Sequence, residues 1–162
     1  MEDVVAAAVL VALRQVFGET GIPPDRIERK RRAGSDGPDA RVVASVGITG
    51  ELRCNLVLCA DSRSANGILR GMSGGLALPD DRLGKFPRAA LGEIANQVAG
   101  RAVTLLAGAG RRCDITPPTV VTADRLDSLL TGTSAAWTVH GDFGVLSLIV
   151  ARSGRKMGEK RS

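Results

Sequence analysis

Apolar positions along the chain follow two rhythms. Residues 2–17 are dense in Ala, Val and Leu and predict a helix, ended by Gly18 and the Gly21-Ile22-Pro23-Pro24 run. Residues 25–39 are charged at first and then rich in Gly, Ser, Asp and Pro, the composition of a loop. The period then changes to two. In ARVVASVGI the residues Val42, Ala44, Val46 and Ile48 share a face, and in ELRCNLVLC so do Leu52, Cys54, Leu56 and Leu58. Thr49-Gly50 between them predicts a hairpin.

Residues 61–72 (DSRSANGILRGM) predict a short helix capped by Asp61 or Ser62. A longer one runs from about Arg88 to Ala107 and is stopped by Gly108 and Gly110. Asp114-Ile115-Thr116-Pro117-Pro118 reads as a rigid link into extended structure at TVVTAD and LDSLL. SAAWTVH and FGVLSLIVA bracket Gly141-Asp142 and predict a second hairpin. Clustered antiparallel strands beside helices indicate an α+β fold. The expected architecture is an antiparallel sheet of about six strands, packed with two long helices and a shorter one. One domain over residues 1–151 and a basic tail over 152–162 account for the 162 residues.

Composition narrows the function classes. Hydrophobic residues make up 44%, with three Phe, one Trp and no Tyr, so the core must be aliphatic. One His and three Cys cannot supply the paired ligand spacings of a zinc site, and no metal is expected. Cys54 and Cys59 lie an odd number of positions apart in a strand, which directs them to opposite faces as reduced thiols. VVAAAVLVAL at residues 4–13 follows an acidic Met-Glu-Asp, lacks a cleavage site and is too short to cross a bilayer. A cytoplasmic protein without membrane association is expected. The net charge of +5 is concentrated in RIERKRR (26–32) and in the tail. Without interleaved aromatics these runs read as solvated charge and not as a nucleic-acid surface. His140, at a strand end, has no nucleophile or metal cluster near it in sequence, and Trp137 reads as a core anchor.

The long helix carries the candidate chemistry. With Glu93 set at zero and about 100° per residue, Asn96 lies at about −60°, Gln97 at about +40°, Gly100 at about −20° and Thr104 at about +20°. Leu91, Ile94, Ala95, Val98, Ala102, Leu105 and Leu106 fall on the opposite side. A carboxylate and a primary amide therefore stand one turn apart on the outer face. Gly100 leaves a notch one turn further on.

LGEIANQVAG resembles the Glu-x-x-Asn signature helix of the CheC/CheX/FliY chemotaxis phosphatases, in the form Gly-Glu-Ile-x-Asn-x-x-x-Gly. VGITGELRCNLVL resembles that family's early hairpin, DITPPTVV its Ser/Thr-Pro-Pro-Thr-Val segment and GDFGVLSLIV its last strand. These pieces stand in family order over roughly residues 42–150. The resemblance implies hydrolysis of the aspartyl phosphate of a CheY-like response regulator. It gives Asn96 the hydrolytic water to orient and Glu93 a regulator lysine to pair with. It implies no cofactor of the chain's own, since Mg²⁺ comes with the partner receiver domain. A homodimer is also implied, and an exposed hairpin edge would offer a route to it. The helical wheel adds Gln97, Gly100, Arg101 and Thr104 as partner-binding positions; at 101 the relatives often carry Asn. The first helix has no second Glu-x-x-Asn, which matches the single-site CheX form. The alternative is a non-catalytic receiver-binding adaptor or antagonist of the same fold.

Overall fold

In the computed structural model, residues 2–30, 41–75, 84–123 and 134–152 are described. The order is helix α1 (Glu2–Thr20), strand β1 (Pro24–Lys30), β2 (Arg41–Gly50), β3 (Cys54–Asp61), helix α2 (Ser62–Met72), helix α3 (Lys85–Gly108), β4 (Cys113–Ile115), β5 (Thr119–Ala123), β6 (Ser134–Gly141) and β7 (Gly144–Arg152). The α+β expectation holds, with a sheet of seven strands in place of about six. Their order is β1-β6-β7-β3-β2-β4, with β5 also paired to β2, and every pairing is antiparallel.

Two of these strands were not expected: β4, which overlaps the segment read as a rigid link, and β1, which lies in the segment read as a loop. The β1 residues PDRIERK are mostly exposed, so no apolar alternation announced that strand. It is held to β6 by backbone pairing, Ile27 opposite Val139 and Arg29 opposite Trp137. Helix α1 also runs past its expected end: Gly18 is helical, and the stop is Gly21 at φ 90°. There the Ile22 amide donates to the Phe17 carbonyl at 2.9 Å and the Gly21 amide to that of Gly18 at 3.2 Å. LDSLL and the tail beyond Arg152 lie outside the described residues.

Both hairpins form, but the first turns at residues 51–53 and not at Thr49-Gly50, which belong to β2 and pair with β4. Across the first, Val42 faces Ala60, Ala44 faces Leu58, Val46 faces Leu56 and Ile48 faces Cys54. All eight are buried in one cluster with side chains from α1, α2 and α3, so the helices join a single core against this front face of the sheet. Val43, Val57, Cys59, Ala136, Ile149 and Ala151 form a smaller cluster on the back face. Cys54 and Cys59 thus do point to opposite faces, and none of the three cysteines is in a disulfide. The hairpin strands lie inside the sheet, so the exposed hairpin edge expected from sequence is absent: β4 and β5 cover β2, and β1 covers β6.

Helix α2 is capped by Asp61, whose Oδ1 accepts from the Ser64 amide at 2.8 Å. It lies so close to the β6–β7 turn that a Cβ on Gly67 would come within 2.2 Å of the Phe143 carbonyl oxygen. Phe143 in turn packs edge-on against Phe17, with centroids 5.5 Å apart. Trp137 is buried and lies under the Arg29 guanidinium at 5.0 Å.

Candidate functional site

Helix α3 is seated by Leu91, Ile94, Ala95, Val98, Ala99, Ala102 and Leu106, all essentially inaccessible. Burying a side chain the size of Leu or Ile contributes about 1.5–3 kcal/mol, so this helix is fixed in azimuth. Its outer face is fixed with it. The helix begins at Gly84 with no side-chain cap, tolerates Pro87 in its first turn, and ends where Gly110 at φ 85° lets the Arg111 amide reach the Leu106 carbonyl at 2.9 Å.

Gly92 explains how the neighbouring segment reaches the site. A Cβ there would lie 2.8 Å from Val120 Cγ2, so the glycine lets β5 nest against α3 one residue before Glu93. Pro117-Pro118 separates β4 from β5, and both strands pair with β2. Thr116 anchors the break: its Oγ1 accepts from the Gly47 amide and its own amide donates to the Gly47 carbonyl, each at 2.9 Å.

Each residue singled out from sequence has a definite place on this surface. Glu93 is exposed, and its Oε2 accepts from Gln97 Nε2 at 2.9 Å, a bond between side chains one turn apart. Asn96 is half-buried, and its amide has no hydrogen-bond partner among the described residues. Two donors and an acceptor are therefore held on a rigid support with nothing among the described residues to satisfy them. A Cβ on Gly100 would meet nothing within 4 Å, so packing inside the chain does not call for a glycine there. The Thr104 hydroxyl is turned back onto the Gly100 carbonyl at 3.1 Å.

Arg101 stands apart from this group. Its Nη2 meets Glu19 Oε1 at 2.8 Å, and its Nη1 meets Glu19 Oε2 and Gln15 Oε1, both at 3.0 Å. The guanidinium ties α3 to α1 and would have to release these bonds to meet a partner. The Glu19 carboxyl is held below its usual range by the hydrogen bond from Arg101. His140 is placed on the far edge of the sheet, between Arg26 at 3.2 Å and Glu28 at 3.6 Å.

Phe86 was not read from the sequence. It lies seven residues before Glu93, at about +20° on the same wheel, and is 43% exposed, whereas Phe17 and Phe143 are buried. Exposed Ala89 stands between Phe86 and Glu93. The open stripe of α3 thus continues two turns toward its N-terminus as an apolar patch. The wheel that placed Asn96 would have found Phe86 had it been extended upstream of Arg88.

This fold is shared with solved CheX, CheC-like and FliY proteins. Residues 86–122, which span α3, β4 and β5, match the CheC-like family. The chain is 35% identical over 80 residues to the CheY-P phosphatase CheX of Thermotoga maritima, a stretch covering 49% of this chain and 50% of that relative. The match therefore spans about half the length of the curated relative. The chemotaxis protein CheX of Desulfovibrio desulfuricans has the same fold, with a TM-score of 0.69 and 19% identity over 92% of this chain and 99% of that one. So does the CheX–CheY–BeF3–Mg²⁺ complex of Borrelia burgdorferi, with a TM-score of 0.71 and 21% identity over 91% and 97%.

Proposed function

We propose that the chain is a phosphatase for the aspartyl phosphate of a CheY-like receiver domain. The observation that carries this reading is the Asn96 amide: seated by a buried helix, without a hydrogen-bond partner among the described residues, and one turn from an exposed carboxylate. An acyl phosphate is already activated, so its hydrolysis needs no covalent nucleophile. It needs one water held in line with phosphorus. A primary amide suits that task because its NH2 donates to a lone pair of the water and its carbonyl oxygen accepts a hydrogen bond from the water's O–H. Glu93 pairs with a lysine of the receiver and fixes the register. Gln97, bonded to one Glu93 oxygen, leaves the other free for that lysine. The magnesium belongs to the receiver and offsets charge on the phosphoryl oxygens.

The docking face is the stripe from Phe86 through Ala89, Glu93 and Asn96 to Gly100. Thr104 continues it with its methyl, its hydroxyl being committed to the helix. Arg101 sits at the rim. The same reading includes a homodimer. Its route is β1, the edge strand in place of a hairpin edge, because antiparallel self-pairing about Ile27 would set Arg26 opposite Glu28 and Asp25 opposite Arg29.

The decisive experiment mixes the purified chain with phosphorylated receivers and follows phosphate release. Asn96→Ala should slow hydrolysis by about a hundredfold or more and leave the thermal melt unchanged. No acceleration by the wild-type chain with any receiver of its source organism would overturn the proposal. Receiver binding without hydrolysis would identify an adaptor.

A further inference from the structure

The back face of the sheet, remote from the Glu93–Asn96 face, holds a cavity of about 240 Å³ lined by Lys30, Arg41, Cys59, Asp61, Thr138, Val145 and Ser147. Strand register explains why these side chains converge. Thr138 faces Ser147 across β6 and β7, Ser147 faces Cys59 across β7 and β3, and Asp61 faces Arg41 across β3 and β2. Two hydroxyls and a thiol therefore make a continuous floor, with cationic side chains at its margin.

A second observation singles out Arg41. Its Nε is shut off from solvent with no hydrogen-bond partner, and no other side-chain atom among the described residues is in that state. A buried N–H of a charged group left unmade is costly, and such groups in folded proteins are normally satisfied by a bound ion or water. Among the described residues that line the cavity, Asp61 is the single carboxylate. Burial pushes the Cys59 thiol up, so it stays protonated at neutral pH. One Asp61 oxygen is already committed to the α2 cap.

We propose that this cavity is a binding site for a small tetrahedral oxyanion of phosphate size. The Arg41 guanidinium and the Thr138 and Ser147 hydroxyls donate to its oxygens, and Lys30 adds charge at the mouth. A guanidinium beside hydroxyl donors is the chemistry that holds phosphate oxygens directionally.

The test titrates the full-length chain with inorganic phosphate, and separately with sulfate, against chloride at constant ionic strength, and follows backbone amide shifts by NMR. Saturable shifts centred on residues 41, 59, 138 and 147 are expected with phosphate, with α3 unaffected. Sulfate saturating at the same residues assigns the site to tetrahedral oxyanions in general, and phosphate alone assigns it to phosphate. Arg41→Met, which keeps the aliphatic stem, should weaken binding at least tenfold. If that variant does not fold, Thr138→Val with Ser147→Ala decides the question, since unchanged phosphate affinity in the double variant overturns the proposal. Absent saturation in the wild type, or shifts confined to other residues, overturns it equally.

Discussion

Replacing Gly100 by alanine separates what the fold wants from what the proposed docking wants. Glycine inside a helix is about 0.8–1.0 kcal/mol less favourable than alanine. Usually some close contact explains its presence. At Gly92 that contact is Val120, and at Gly67 it is the Phe143 backbone, but around Gly100 a new methyl would meet nothing within 4 Å. Gly100→Ala should therefore stabilise the isolated chain by close to the full propensity difference, which for a protein of this size raises the melting midpoint by about 2–4 °C. The same methyl would project from the middle of the stripe that carries Asn96, where a docking backbone has to approach. Overpacking a closely fitted contact costs about 1–3 kcal/mol, so kcat/KM toward a phosphorylated receiver should fall roughly five- to 150-fold. The assay pairs a thermal melt with single-turnover phosphate release. A variant that is more stable and equally active would refute the docking role of Gly100. A variant that melts lower would refute the claim that its surroundings are open.

Other substitutions test separate parts of the argument. Gly67→Ala should destabilise the fold by about 1–3 kcal/mol or more, read as a lower urea midpoint, because the obstacle is backbone and cannot rotate away. Phe86→Ser should raise KM for the receiver about fivefold, in line with loss of an apolar contact worth about 1 kcal/mol or more, while single-turnover hydrolysis at saturation stays near wild type; an unchanged KM removes Phe86 from the docking face. Glu19→Gln should lower the melting midpoint at neutral pH and progressively less in acid. The Glu19 carboxyl is depressed in the folded state from a usual value of 4.5, so its contribution is present above that value and is lost as pH falls through the folded one. A midpoint difference independent of pH would show that the Arg101 pairing contributes nothing.

The sequence made the front of the molecule readable because burial there is one-sided. Alternation in β2 and β3 placed Val42 through Leu58 on the correct face, and the wheel of α3 put Asn96 outward because so many aliphatic neighbours go inward. Strand β1 escaped notice for the opposite reason. Its stability comes from backbone bonds to β6, which leave no trace in side-chain pattern, and its Arg and Glu residues are what a solvated edge requires. Arg101 could be placed on the outer half of α3 from its spacing, but its bond to Glu19 spans 82 positions and depends on how α1 and α3 meet. The back-face cavity was hidden similarly. Its lining comes from β1, β2, β3, β6 and β7, and only strand register brings those residues together.

The chain has a single indole and no phenol to obscure it. Trp137 lies beneath the Arg29 side chain of the outermost strand. Its emission therefore registers local peeling of that strand, as the cation leaves the ring, separately from the larger red shift when the interior floods. Fraying at the margin and collapse of the whole can be told apart in one cuvette, with no label attached.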